Sequence, residues 1–204
     1  MSRVCILDYG SGNVKSVFNL FDSIASRVVV SNDPVEIASA SHIVLPGVGA
    51  FGSTMRKMRG TLPMEILERT VLSERKPFLG ICVGMQVLAS RGMEFGEHAG
   101  LGWIAGSVER LETNGLTLPH IGWNDIVCKR NSPLLAGLEN GADFYFVHSF
   151  TFREETPQQV LATTQYGKDF CSVVQQGNLY GVQFHPEKSQ RAGIKLAKNF
   201  LSLS

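Results

Sequence analysis

Three side chains in this sequence have the types and settings needed for nucleophilic attack on a carbonyl group: Cys82, His185 and Glu187. Cys82 lies in Pro77-Phe78-Leu79-Gly80-Ile81-Cys82-Val83-Gly84-Met85-Gln86, where an apolar run passes through Gly-x-Cys-x-Gly into a helical pattern. This is the cysteine form of the strand–turn–helix elbow that lifts a reactive side chain above a sheet edge. Such a turn strains the nucleophile's backbone and leaves no room for neighbouring Cβ atoms, which accounts for Gly80 and Gly84. A helix N-terminus favours a thiolate and aims backbone N–H groups at a developing oxyanion. Taken alone, the motif also fits a core cysteine packed by glycines.

A thiol nucleophile needs an imidazole to take its proton, and the imidazole needs an acceptor to hold its tautomer. Leu179-Tyr180-Gly181-Val182-Gln183-Phe184-His185-Pro186-Glu187 supplies both at the end of one apolar strand, with Pro186 stiffening the turn. In parallel-sheet proteins the site lies at the carboxyl ends of the strands, where Cys82 is also expected.

The elements around these residues support that placement. Arg3–Leu7, Val28–Val30, His42–Leu45 and Pro77–Ile81 read as strands. Between them, Val14, Val17, Phe18, Phe21, Ile24 and Ala25 share a helical face, a Gly-rich loop follows Pro46, and Pro63 to Ser73 and Val83 to Ala89 read as helical. This alternation predicts a parallel sheet with helices on both faces. From Trp103 to Gln183 the runs are mostly strand-like, with turns at Asn114-Gly115 and Gln176-Gly177-Asn178, which predicts an antiparallel extension. A closing helix places Ile194, Ala197 and Leu201 on one face. One α/β domain over residues 1–204, built on a mixed sheet, is the simplest organisation.

The composition fits a soluble globular protein: 44% of the 204 residues are apolar, 18% are charged, and the net charge is +1. Nothing here suggests a nucleic-acid or membrane surface. With no leader pattern and four scattered cysteines at 5, 82, 128 and 171, a cytoplasmic location is expected. Gly47-Val48-Gly49-Ala50-Phe51-Gly52 matches a dinucleotide fingerprint, but the next strand ends at Ile81 and Cys82 without the acid that would hold a ribose. His42, His98, His120 and His148 show no metal-ligand spacing, so structural roles are expected for them, with no metal and no cofactor.

Nearly the whole chain resembles the class I, triad-type glutamine amidotransferases, and within them the glutaminase subunits of imidazole glycerol phosphate synthase, an enzyme of histidine biosynthesis. The elbow and His-Pro-Glu carry the superfamily resemblance. The match also takes in Asp8-Tyr9-Gly10-Ser11-Gly12-Asn13, Leu45-Pro46-Gly47-Val48-Gly49-Ala50-Phe51, His120-Ile121-Gly122-Trp123-Asn124 and Tyr145-Phe146-Val147-His148-Ser149-Phe150, of which the Asp-Tyr-Gly start, Pro-Gly-Val-Gly and Gly-Trp-Asn carry the narrower resemblance. The resemblance implies a flavodoxin-like fold, a mostly parallel sheet with an antiparallel extension. It implies that Cys82 attacks the amide of L-glutamine, that His185 moves the protons, and that Glu187 orients His185. The oxyanion would be held by Val83 and by the loop of Gly47, Val48 and Gly49, which in this family is thought to rearrange first. Gln86 and Glu94, with the backbone of Ser149 and Phe150, would bind glutamine; read from the residues alone, Glu94 fits a solvated loop acid equally well. Asn13, Trp123 and Lys188 would lie near the face that meets a TIM-barrel cyclase, the acceptor of the ammonia in a heterodimer.

Other classes compete. A glutaminase partner of pyridoxal phosphate or aromatic amino-acid synthesis fits the superfamily, but not Gly-Trp-Asn and the Asp-Tyr-Gly start. An intracellular cysteine hydrolase with the same elbow usually lacks His-Pro-Glu. A binding module that has lost catalysis would not be expected to fill all three triad positions.

Overall fold

The computed structural model describes residues 2–138 and 140–204. The first half alternates strands and helices: β1 (Arg3–Leu7), α1 (Val14–Asp22), β2 (Arg27–Ser31), α2 (Pro34–Ser39), β3 (His42–Gly47), α3 (Phe51–Thr61), α4 (Met64–Glu68), β4 (Phe78–Cys82) and α5 (Val83–Gln86). The second half is strand-rich: β5 (Arg91–Gly92), β6 (His98–Ala99), β7 (Gly106–Arg110), β8 (His120–Cys128), β9 (Ala142–His148), β10 (Phe150–Glu154), β11 (Val160–Tyr166), β12 (Lys168–Gln176) and β13 (Leu179–Val182). Helix α6 (Gln190–Leu201) follows.

The main sheet has nine strands in the order β2-β1-β3-β4-β13-β12-β11-β8-β9. From β2 through β13 the pairings are parallel, and from β13 to β9 they are antiparallel. The chain moves one way from β1 to β2, then back across β1 to β3. Right-handed crossovers therefore send α1 to one face and α2 to the other. Helix α1 packs with α6, and α2 with α4. The mixed sheet agrees with the sequence expectation, and the Gly177-Asn178 turn joins β12 to β13 as a two-residue hairpin. A second sheet, β10-β7-β5-β6, lies beyond the elbow. No helix among the described residues is long and apolar enough to cross a membrane.

Several elements differ from the sequence reading. Helix α2 was not expected, although Asp33 caps it, with Oδ1 accepting from the Val35 and Glu36 N–H groups at 2.7 and 3.2 Å. The reading put a Gly-rich loop before Pro63, yet α3 fills much of that span. Its buried stripe of Phe51, Thr54, Met55 and Met58 has helical spacing that glycines and polar residues obscure. Of the expected face, Ala197 is buried in α6, but the buried side centres on Gly193, Leu196 and Phe200 rather than on Ile194 and Leu201, with Phe200 meeting Phe21 of α1 ring to ring at 6.2 Å. The helix expected from Val83 to Ala89 is only the short α5.

Strands β3 and β4 are so close to α5 that backbone meets backbone. A Cβ on Gly84 would lie 2.0 Å from the Leu45 carbonyl oxygen, one on Gly80 2.3 Å from the Gly84 oxygen, and one on Gly47 2.4 Å from the Gly84 nitrogen. The Leu45 carbonyl is held in the sheet and the Gly84 carbonyl in α5, so neither yields freely. Gly84→Ala is therefore expected to lower the unfolding free energy by about 2 kcal/mol or more, read by urea denaturation. Gly60→Ala, in α3 with open space at its Cβ, should instead stabilise by about 0.5–1 kcal/mol. Equal effects at the two sites would refute the close-packing account.

Candidate active site

Strands β3, β4 and β13 lie side by side, with Gly47 opposite Cys82 and Val182 opposite Ile81. Their parallel direction puts the loops that follow them on one rim. At the end of β4 the backbone turns sharply, leaving Cys82 at φ 55° and ψ −113°. A non-glycine residue there costs about 1–3 kcal/mol, and the surrounding glycine contacts hold it in place. Because α5 is a single turn, it sums too few peptide dipoles to act as a long helix would. The nearest N–H groups matter instead. Val83 is the first residue of α5, so its N–H has no partner within the helix.

Beyond β13 the chain reaches His185, whose backbone N–H donates to the Tyr145 carbonyl at 2.8 Å. A single 3₁₀ turn, Pro186–Lys188, folds Glu187 back beneath the ring. His185 Nδ1 meets Glu187 Oε1 at 2.8 Å, and the Glu187 side chain is wholly buried. The carboxylate holds a proton on Nδ1 and leaves Nε2 for the thiol. Asn13 Nδ2 donates to the same Glu187 oxygen at 3.1 Å. Asn13 thus sits at the N-cap of α1 without capping it, its side chain being committed to Glu187.

Burial acts most strongly on His185 and pulls its pKa down. Cys82 and Glu187 outweigh it, by hydrogen bonding and by charge, and bring it up to about 9. Nε2 makes no hydrogen bond of ordinary geometry. A protonated imidazole is the form of His185 that the raised pKa favours. Burial pushes the Cys5 thiol up to about 12 and raises that of Cys171 as well.

Cys82 and His185 open into a cavity of about 300 Å³, which Val48, Gly49, Val83, Gln86 and Glu94 also line. Its far wall is Val147, His148, Ser149 and Phe150. The sequence candidates for oxyanion and substrate contacts therefore converge on one space, apart from Gly47, which packs against α5 beneath it. The Tyr9 hydroxyl donates to the Pro46 carbonyl at 2.9 Å and the Ser11 hydroxyl to the Val48 carbonyl at 3.4 Å. A trans peptide opposes N–H to C=O, so the Gly49 N–H points away from Ser11. Gly49 has φ +93°, a conformation glycine adopts without strain. The other two fingerprint-like glycines serve packing, Gly47 against α5 and Gly52 against the His98 ring, which a Cβ would strike at 2.7 Å.

Glu94 is not a freely solvated acid. Its Oε2 accepts from the Phe51 N–H at the start of α3, at 2.9 Å. Gln86 Nε2 donates to the Phe150 carbonyl at 2.9 Å and to Gln183 Oε1 at 3.0 Å, while Gln183 Nε2 reaches Cys82 Sγ at 3.7 Å. Sequence reasoning missed Gln183, for which its place two residues before His185 was the only signal. The Ser149 carbonyl is taken by the Leu111 N–H at 2.9 Å. Trp123 is half exposed and meets Tyr145 edge-on at 6.1 Å, and Lys188 Nζ lies 5.2 Å from the Tyr145 ring centre. These two interface candidates share one surface, while Asn13 lies under it at Glu187. A larger hollow of about 460 Å³, between Arg130 and Leu138, has no acid or histidine in its described lining.

Residues 5–203 match the family glutamine amidotransferase class-I. The chain belongs to the class I glutamine amidotransferases. Among relatives of this amidotransferase, the imidazole glycerol phosphate synthase subunit HisH of Rhodospirillum rubrum is 45% identical, covering 98% of each chain. That of Symbiobacterium thermophilum is also 45% identical, over 98% of this chain and 93% of its own. The solved structure of PurLQS from Thermotoga maritima superposes with a TM-score of 0.74 at 17% identity, over 98% of this chain and 97% of that one. Another glutamine amidotransferase structure gives 0.74 at 20% identity, over 97% and 96%. At such identities these structures establish the fold alone.

The His185 pKa has a consequence for stability. The folded value of about 9 exceeds the ordinary 6.5, so protonation of His185 stabilises the fold fully below pH 6.5 and this contribution disappears as pH rises through 9. Glu187→Gln removes one of the raising partners and should flatten that loss. Chemical denaturation of both proteins across this range measures it, and parallel pH slopes would count against the coupling.

Proposed function

We infer that the chain hydrolyses L-glutamine to glutamate and ammonia, and passes the ammonia to the TIM-barrel cyclase subunit of imidazole glycerol phosphate synthase. The chemistry is carried by one observation: Cys82 and a His185 oriented by buried Glu187 open into the same cavity. The pathway is supported by full-length kinship to the synthase subunits. In this reading the Cys82 thiolate attacks the glutamine side-chain carbonyl, and the tetrahedral oxyanion takes hydrogen bonds from the Val83 and Gly49 N–H groups. The proton on His185 Nε2 goes to the departing nitrogen, which leaves as ammonia, and a glutamyl thioester remains. His185, now neutral, takes a proton from water. The resulting hydroxide adds to the thioester, and glutamate leaves as the thiolate re-forms.

The reading gives Glu94 the amino group of glutamine as its second partner, and leaves N–H groups of Ser149 and Phe150 for the substrate. The exposed patch of Trp123, with Lys188 beside it, is the surface for the cyclase. Delivering ammonia directly to that partner keeps it from protonation in bulk water.

Glutamate release from glutamine, assayed alone and with the cyclase carrying its nucleotide substrate, tests both halves. Strong stimulation by the liganded partner is expected, with Cys82→Ala reducing the rate by at least about 10³-fold. Full activity alone with no response to the cyclase would keep the chemistry and overturn the partner.

A further inference from the structure

A second chain of hydrogen bonds runs from the outer part of the sheet to the cavity wall, through groups the triad does not use. It begins at Asn124 on β8. Its Oδ1 accepts from the Asp125 N–H at 2.9 Å and its Nδ2 donates to the Gln165 carbonyl at 2.9 Å. Those two backbone groups settle which end of the amide is which. The same Nδ2 lies 3.2 Å from His120 Nε2, so that nitrogen accepts and the His120 proton sits on Nδ1. His120 Nδ1 lies 3.0 Å from His148 Nε2, so His148 also accepts at Nε2 and keeps its proton on Nδ1. That proton meets the Phe150 carbonyl at 2.9 Å. Both ends of the chain are backbone groups of fixed polarity, so one arrangement of protons satisfies every member.

Both rings are buried, and His120 is stacked between Tyr166 at 4.1 Å and Phe146 at 5.0 Å. Burial draws the pKa of His120 down to about 4. It draws His148 down to about 3, with the bond to Phe150 pulling upward and the charges of His120 and His185 pulling further down. A proton added to His148 Nε2 would face the His120 N–H across 3.0 Å, and one added to His120 Nε2 would face the Asn124 amide donor across 3.2 Å.

We propose that His120 and His148 are positioning residues: a neutral, single-tautomer pair that holds the Phe150 carbonyl, and through it Gln86 and Gln183, on the wall of the glutamine cavity. The Phe150 oxygen accepts from both His148 and Gln86, and Gln86 in turn meets the Gln183 that reaches Cys82. The histidines act on the geometry of the site without exchanging protons with the substrate. That the cavity holds glutamine rests on the function proposed above.

Nitrogen-15 NMR of the imidazole rings in the full chain reads the tautomers directly, and Nδ1–H is expected for both rings from about pH 5.5 to about pH 9. Asn124→Asp keeps the side-chain shape but replaces a donor with an acceptor. The His120 proton should move to Nε2, and the His148–Phe150 bond should be lost. With the partner cyclase present, KM for glutamine is then expected to rise about tenfold while kcat stays within about threefold. His148→Asn, whose amide can donate where Nδ1 did, should keep KM within about threefold, and His148→Leu should not. An Nε2-protonated or freely titrating His120 in the unaltered chain would overturn the proposal. So would a switched tautomer in Asn124→Asp with unchanged KM. If the unaltered complex hydrolyses no glutamine, the functional reading fails on its own, and the NMR spectra still decide for or against the paired tautomers.

Discussion

The rest of the site depends on one close approach, that of the α5 backbone to the ends of β3 and β4. With no Cβ at Gly47, Gly80 or Gly84, backbone atoms of Leu45 and Gly84 sit where side chains would otherwise stand. That contact permits the sharp turn and supports Cys82 at positive φ. Parallel pairing then aligns the exit of β3 with the exit of β4, so the oxyanion candidates and the thiol arrive on the same rim without further adjustment. A side chain at any of the three glycines would push the strands apart and move the nucleophile away from its surroundings.

The electrostatics of the site follow from that placement. Burial alone would neutralise an imidazole, as it does for His120 and His148. His185 escapes because it lies between Cys82 and a fully buried carboxylate. Glu187 in turn is held by Asn13, which the fold brings in from the far end of the chain. His120, His148 and His185 thus take two charge states, decided by whether the neighbour is a carboxylate or another neutral ring. The same neutrality makes the His120–His148 pair a rigid spacer rather than a proton carrier.

The alternation of β8 and β9 links this interior to the surface. On one side the strands bury Phe144, Phe146, His120 and His148; on the other they expose Ile121 and Trp123 beside Tyr145. The backbone of Tyr145 accepts from the His185 N–H, so a strand that carries the exposed aromatic patch is bonded directly to the His185 backbone. A force applied to that patch would act on the strand bonded to His185.

Much of this was legible from sequence, for reasons that are local. Gly-x-Cys-x-Gly after an apolar run specifies an elbow, His-Pro-Glu after a strand specifies a base with its orienter, and short apolar runs separated by helical periods specify a parallel sheet. Helix α3 was hidden because its buried stripe is thin and interrupted by glycine, and α2 because its six residues are too few to show a period. The buried face of α6 was misread because Phe200 turns inward to meet Phe21, which lies some 180 residues earlier in the chain. Gln183, the Asn13–Glu187 bond and the two histidines on the cavity wall are matters of long-range contact, which no local pattern records. By itself the sequence determined which atoms could react. Only the tertiary structure decided which of them are charged, because charge in a buried site depends on neighbours that the chain brings together from its opposite ends.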